Sequence, residues 1–354
     1  MRLKNERRER RECDAMVTTC WKNGQYMNHG GNVWESGSPS EWTDFSANLR
    51  PEGPPLWVQE TVRDAQRDIR FYPDPDMKRA REGLSAFLGV PGECVLPVPG
   101  GISAIDTVLG LSPGCVYIQP PTFCEYAVRA QVHGRRCETW SGKCRKGDTL
   151  VICNPNNPTG SVRKQEELLS LLDALVSDGA NLLADEAFIE YCPEYSLRGN
   201  LRPGLIIAGS LSKILGTHGI RLGYICAAPE MVLSLRKRML PWPLDAFASE
   251  IAAHLPEHTD EIREDSRLNS CRRNAFARQL RNLGAEVFPS ESNFLLADFR
   301  RGMSWAEKHL KARGILVRTC TSFGLPDSFW RLAVKTEAEN TRFINELEEI
   351  LHAR

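Results

Sequence analysis

The sequence predicts an α/β protein in which a large domain built on a mostly parallel sheet is joined to a smaller α+β domain. Three observations predict it. Between about residues 94 and 230, short apolar runs bounded by Gly, Pro, Asn or Asp alternate with longer helical stretches, the pattern of parallel strands covered by helices on both faces. After Trp242 long helical segments take over, with few strands between them. At 354 residues and 42% apolar content the chain can bury one substantial core and a smaller second one.

Residues 1–27 are polar, strongly basic at first and without periodicity, so a disordered basic extension is expected. Met16 and Met27 are alternative starts for the chain. Residues 28–50 are expected to complete the small domain formed by 242–354, leaving 51–241 as the large domain. Strands are predicted at Cys94–Val98, Cys115–Gln119, Leu150–Cys153, Asn181–Ala184, Leu205–Ala208 and Tyr224–Ala227. Between the third and fourth, Lys164–Val176 spaces its leucines as a helix does. Asp260–Leu283 and Glu337–His352 read as helices, with strands at Phe294–Asp298 and Trp330–Val334.

Composition narrows the function. Forty-five basic residues balance 45 acidic ones, which argues against a nucleic-acid-binding surface. No stretch reaches the roughly 18–20 apolar residues of a membrane span, and the charged start lacks a signal-peptide core. A cytoplasmic protein without a membrane partner is expected. The 12 cysteines contain no CxxC pair and no Cys/His cluster at ligand spacing, so dispersed reduced thiols and no metal are expected. Cys137 and Cys144 sit in a Gly/Lys/Arg-rich segment that reads as a loop.

The chemistry gathers at the predicted strand ends. Leu150–Cys153 runs into NPNNPTG (154–160), Asn181–Ala184 into DEAF (185–188), and Leu205–Ala208 into GSLSK (209–213). Taken singly, these are turn formers, a helix cap and a surface lysine. Together they project polar groups from one edge of one sheet, where ligands of such sheets bind.

NPNNPTG, DEAFIEY (185–191), SLSKILGTHGIRLGY (210–224) and FYPDPD (71–76) together resemble the class I/II pyridoxal-phosphate aminotransferase superfamily of the aspartate-aminotransferase fold. Within it the chain looks like the branch of histidinol-phosphate aminotransferase and threonine-phosphate decarboxylase, from about Asn28 onward. The resemblance implies that residues 51–241 bind pyridoxal 5′-phosphate, with Lys213 taking the cofactor aldehyde and shuttling a proton. Asp185 would pair with the pyridine nitrogen, Asn157 would bond the 3′-oxygen, and Phe123 would cover one ring face. Phe188 stands where many relatives carry tyrosine. Gly101, Ile102 and Ser103 open a helix whose N–H groups suit the cofactor phosphate, with Ser210, Ser212 and Arg221 as its further ligands. Tyr72 would reach that phosphate from a second subunit, which implies a homodimer with shared sites.

HGGN (29–32) with DFSAN (44–48), and RTCTSF (318–323) with WRLAV (330–334), resemble the decarboxylase branch. His29, Gly30, Asn157, Arg318 and Arg331 are then the expected substrate residues for a small phosphorylated amino acid. The resemblance implies decarboxylation of L-threonine O-3-phosphate to (R)-1-amino-2-propanol phosphate, in the side-chain branch of cobalamin biosynthesis. Histidinol-phosphate or another aminotransferase stays open as a second reading. A binding or regulatory protein without activity is a third, opposed by the retained lysine, aspartate and asparagine.

Overall fold

The computed structural model describes residues 29–35 and 37–353, with the backbone of 21–22 and 25–26, which form a two-residue antiparallel ladder. The expected character of the rest of 1–27 lies outside the described residues.

The large domain is a seven-stranded sheet. In chain order its strands are β1 (Val95–Val98), β2 (Val116–Ile118), β3 (Cys137–Thr139), β4 (Thr149–Cys153), β5 (Asn181–Glu186), β6 (Leu205–Ser210) and β7 (Gly223–Ala227), arranged β1-β7-β6-β5-β4-β2-β3. All neighbours are parallel except β7, which is antiparallel to both β1 and β6. All residues of β1, β4, β6 and β7 are buried, as expected of strands covered on both faces. The six strands predicted from sequence are present within two residues at each end. β3 was not foreseen, because its Cys-Glu-Thr is half-buried at the sheet edge and has no apolar run.

Helices α1 (Leu56–Ala65), α2 (Lys78–Leu88), α3 (Gly101–Leu109), α4 (Glu125–Val132), α5 (Gln165–Ser177), α6 (Pro229–Arg236) and α7 (Ala246–His254) cover this sheet. In α5 the buried leucines 168, 172 and 175 make the apolar stripe that its sequence announced. Asp245 caps α7 by accepting from Ala248 N–H, and Ala248, Ile251 and Ala252 join the large core. The change of core therefore falls within helix α8 (Thr259–Asn282), whose Ile262 faces the large core and whose Phe276 faces the small one, and not at Trp242.

The small domain has an antiparallel sheet of β8 (Glu286–Val287), β9 (Phe294–Asp298), β10 (Arg318–Thr319) and β11 (Phe329–Ala333), in the order β8-β9-β11-β10. Helices α9 (Ser304–Ala312) and α10 (Glu337–His352) pack on it. A reciprocal Thr336–Glu339 capping box starts α10. The Phe45 ring packs at a tilt against Phe276 and Phe343 in the core of the small sheet. Nine described cysteines are free thiols; Cys124 is disulfide-bonded and departs from the expected reduced set. Among the described residues no helix is long and apolar enough to cross a membrane.

Candidate functional site

β2 and β4 pair through only two residues each, Val116 with Thr149 and Tyr117 with Leu150. From there the chain leaves β2 toward β3 and β4 toward β5, in opposite directions along the sheet. This is the switch point at which a crevice opens. A cavity of about 450 Å³ fills it, lined by Lys213, Asp185, Asn157, Phe123, Phe188, Gly101, Ile102, Ser210 and Arg221, and roofed by His29, Gly30, Ala47–Leu49 and Arg331. That volume suits a small-molecule cofactor with its substrate.

Asp185 ends β5 and is buried. One of its oxygens accepts from the Tyr126 hydroxyl, and the other from Ala187 N–H at 3.0 Å. Burial raises its pKa above the ordinary aspartate value, against these two donors and the nearby Lys213. Lys213 follows β6, and its amine is pushed down to about 8, first by burial and then by Arg331 and Arg221, with Asp185 opposing. An amine in that range is a usable nucleophile near neutral pH.

At the other end, Gly100 adopts φ 85° to turn β1 into α3, and a Cβ there would sit 2.7 Å from Arg221 Nη2. Glycine is therefore required for the guanidinium to lie against the helix N-terminus. Arg221 is fixed by donating to the His218 carbonyl at 3.1 Å. Ser212 Oγ is buried with no hydrogen-bond partner among the described residues, an arrangement that calls for a ligand. Helix N-terminus, Ser210 and Arg221 make an anion cradle. Neither Ser103, the third residue of α3, nor Ser212 lines the cavity.

Arg331 projects from β11. It donates to Asn157 Oδ1 at 2.9 Å and to the Ser46 carbonyl at 2.5 Å, and its buried Nε has no partner. Burial, then Arg318, lowers it to about 9. Arg318 stands directly opposite Arg331 in the β10–β11 register. It is buried, donates to Ser322 Oγ at 2.6 Å and rests over the Phe323 ring at 5.1 Å. Neither arginine has a carboxylate at ion-pair distance among the described residues.

Two more expected site residues lie outside the cavity. Arg318 lines a separate polar pocket of about 80 Å³ with Lys311 and Asn32; Gly30 borders both spaces. The bonds to Ser322 and Phe323 hold its guanidinium on that far side. Tyr72 is 82% exposed, packed on Trp242 at 4.7 Å and away from the cavity of its own chain.

Sequence reading missed four residues. Tyr126 lies under Asp185. Glu125 lines the cavity 3.1 Å from His29 Nε2, with Arg129 on its other oxygen. His218 also lines it; burial, then Lys213 and Arg221, hold its ring neutral down to about pH 3. Cys153 is the fourth, with Sγ 3.9 Å from Asp185. The motif FCEY carried the signal for Glu125 and Tyr126, since both open a helix after a strand end. The donor atoms of His29, Cys124 and Glu125 lie within 4.8 Å of one another. With Cys124 in a disulfide, His29 and Glu125 are the remaining ligands there among the described residues.

Residues 40–347 match the aminotransferase class I and II family, and the chain belongs to it. It is 29% identical to the threonine-phosphate decarboxylase of Salmonella typhimurium, over 91% of this chain and 96% of that protein. It is equally, 29%, identical to a histidinol-phosphate aminotransferase of Moorella thermoacetica, over 87% and 85%. The solved L-threonine-O-3-phosphate decarboxylase of Porphyromonas gingivalis matches with a TM-score of 0.78 at 26% identity, covering 87% of this chain and 99% of that one. A histidinol-phosphate aminotransferase from Clostridium acetobutylicum matches with 0.81 at 25%, covering 88% and 99%. The protein is a pyridoxal-phosphate-dependent enzyme of the aspartate-aminotransferase fold. The cavity fits that cofactor: a buried carboxylate at one end, an anion cradle of helix N-terminus, Ser210 and Arg221 at the other, and a lysine between.

Proposed function

We propose that the enzyme decarboxylates L-threonine O-3-phosphate. The observation that carries this reading is the pair of buried arginines without carboxylate partners, beside a cavity roofed by His29 and Gly30. Buried cations of this kind need anions, and a phospho-amino acid brings two. Gly30, at φ 82°, has Ser46 O where a Cβ would be, at 2.3 Å. Only glycine lets the HGGN segment settle this closely over the cavity. The similarity to threonine-phosphate decarboxylases supports the same reading.

In this reading Asp185 holds a proton on the cofactor's pyridine nitrogen, Asn157 bonds the 3′-oxygen, and Phe123 covers a ring face. The N–H groups of Gly101 and Ile102, with Ser210 and Arg221, would hold the phosphate. When bound, pyridoxal phosphate supplies a conjugated ring that takes up the electron pair of a broken Cα bond. Arg331 would fix the polar groups at Cα, and His29 would draw the substrate phosphate to the roof beside Gly30, the residue shared with the neighbouring pocket that Arg318 lines, so that binding energy from the phosphate orients the carboxylate for loss. Loss of the carboxylate as carbon dioxide would leave Cα to be protonated, and the Lys213 amine is placed to deliver that proton.

The test is carbon dioxide release from threonine phosphate without any 2-oxo acid, with far slower turnover of unphosphorylated threonine. Stoichiometric glutamate from 2-oxoglutarate and histidinol phosphate, with no carbon dioxide from threonine phosphate, would establish the aminotransferase reading instead. Arg318→Ala should lower kcat/KM for threonine phosphate about 10- to 100-fold, the worth of a charge-assisted contact, while cofactor affinity stays within a factor of two. An equal loss of cofactor would make Arg318 a structural residue.

The exposed Tyr72 fits a role in a second subunit. Tyr72→Phe should raise the cofactor dissociation constant by roughly 5- to 10-fold, the value of one hydroxyl donor. Mixing it with Lys213→Ala subunits should regenerate one intact site per heterodimer. Fully active monomers would exclude a shared site.

A further inference from the structure

We infer that Tyr126 is a positioning residue that sets both the charge of Asp185 and the seat of the cofactor ring. Its ring is completely buried. Its hydroxyl donates to Asp185 Oδ2, and its ring edge meets Phe123 at 5.6 Å and 87°. One side chain on α4 thus touches the group that faces the pyridine nitrogen and the group that covers the ring. Burial raises the phenol well above its ordinary range, with Asp185 adding to it, so the O–H stays a donor throughout the working pH range.

The groups that face Asp185 come from four places: Tyr126 on α4, Cys153 at the end of β4, Ala187 N–H beyond β5, and Lys213 after β6. Burial favours the neutral acid, and the Tyr126 hydroxyl is the strongest opposing influence. A carboxylate with two accepting oxygens can take Tyr126, Ala187 and a ring N–H together. A neutral acid there could no longer hold the ring proton by charge. Cys153 is also pushed well upward by burial, which leaves it a neutral thiol and Tyr126 the stronger donor to Oδ2.

The sign follows. Without the hydroxyl, the charged form of Asp185 loses support, so its proton affinity rises. Function that needs the carboxylate is then lost at a higher pH as pH falls. A hydrogen bond to a charged group corresponds to about one to two pH units.

This inference rests on the cofactor assignment and not on which substrate is used. Tyr126→Phe removes one oxygen, and circular dichroism with thermal melting checks that the fold is kept. Three results are expected in the variant. The acid transition in the visible absorbance of the holoenzyme moves up by about one to two pH units. Pyridoxal phosphate dissociates about 10-fold more readily. In the carbon dioxide assay, kcat falls while KM is unchanged. Against an Asp185→Ala background, Tyr126→Phe should change kcat by less than twofold, because its influence runs through the carboxylate. An unshifted absorbance transition with unchanged cofactor affinity overturns the inference, as does an undiminished effect of Tyr126→Phe when Asp185 is absent. Failure of carbon dioxide release in the wild type would refute the substrate reading alone, since the absorbance and affinity readouts need no substrate.

Discussion

Lys213→Ala is expected to lose turnover by about 10⁴-fold or more, because one side chain supplies both the covalent anchor and the proton-transfer group. Borohydride reduction of the wild type followed by mass spectrometry should place the pyridoxyl group on Lys213 and nowhere else. The lowered proton affinity sharpens this. At pH about 8 half of the Lys213 amine is unprotonated, whereas an ordinary lysine is almost wholly charged. Apo-protein near that pH should therefore incorporate one pyridoxyl group at Lys213 long before surface lysines react. Labelling spread over several lysines would contradict the assignment.

Asp185→Ala should be next in severity, at about 10²- to 10³-fold in kcat with the cofactor saturating, the scale of removing a preorganised charge from a buried site. Folding should survive, since the β5 ladder around residue 185 is made by backbone groups. Near-normal turnover in a cofactor-loaded variant would show that the ring nitrogen needs no carboxylate here.

Much of this architecture was legible because local and long-range signals agree. Strands such as Leu205–Ile207 are apolar on both faces since both faces are covered, and α5 repeats leucine at helical spacing. The three strand-end motifs do converge on one cavity, with Lys213, Asp185 and Asn157 on its wall. What stayed hidden depends on direction more than on residue type. Arg318 and Arg331 carry the same chemistry in sequence, and the register of β10 against β11 puts both on one face; Ser322 and Phe323 hold the Arg318 guanidinium in the neighbouring pocket while Arg331 reaches the cavity. Tyr126 was missed for a similar reason: a tyrosine early in a helix is ordinary until the fold puts an aspartate under its hydroxyl. The allegiance of α7 is not legible in sequence because it is as helical as the helices that follow it; its packing against α2 and α1 is what joins it to the large core.

The arginine ladder also has an evolutionary side. Two cations facing each other across neighbouring strands, buried and short of acceptors, work against the resting fold. On the proposed role of Arg318, a drift toward methionine or leucine there would gain heat resistance at the expense of turnover, so selection on stability and selection on turnover would pull this position in opposite directions. Chains of this family that had lost their phosphorylated substrate should therefore be recognisable by an apolar residue at that register position long before the lysine itself disappears.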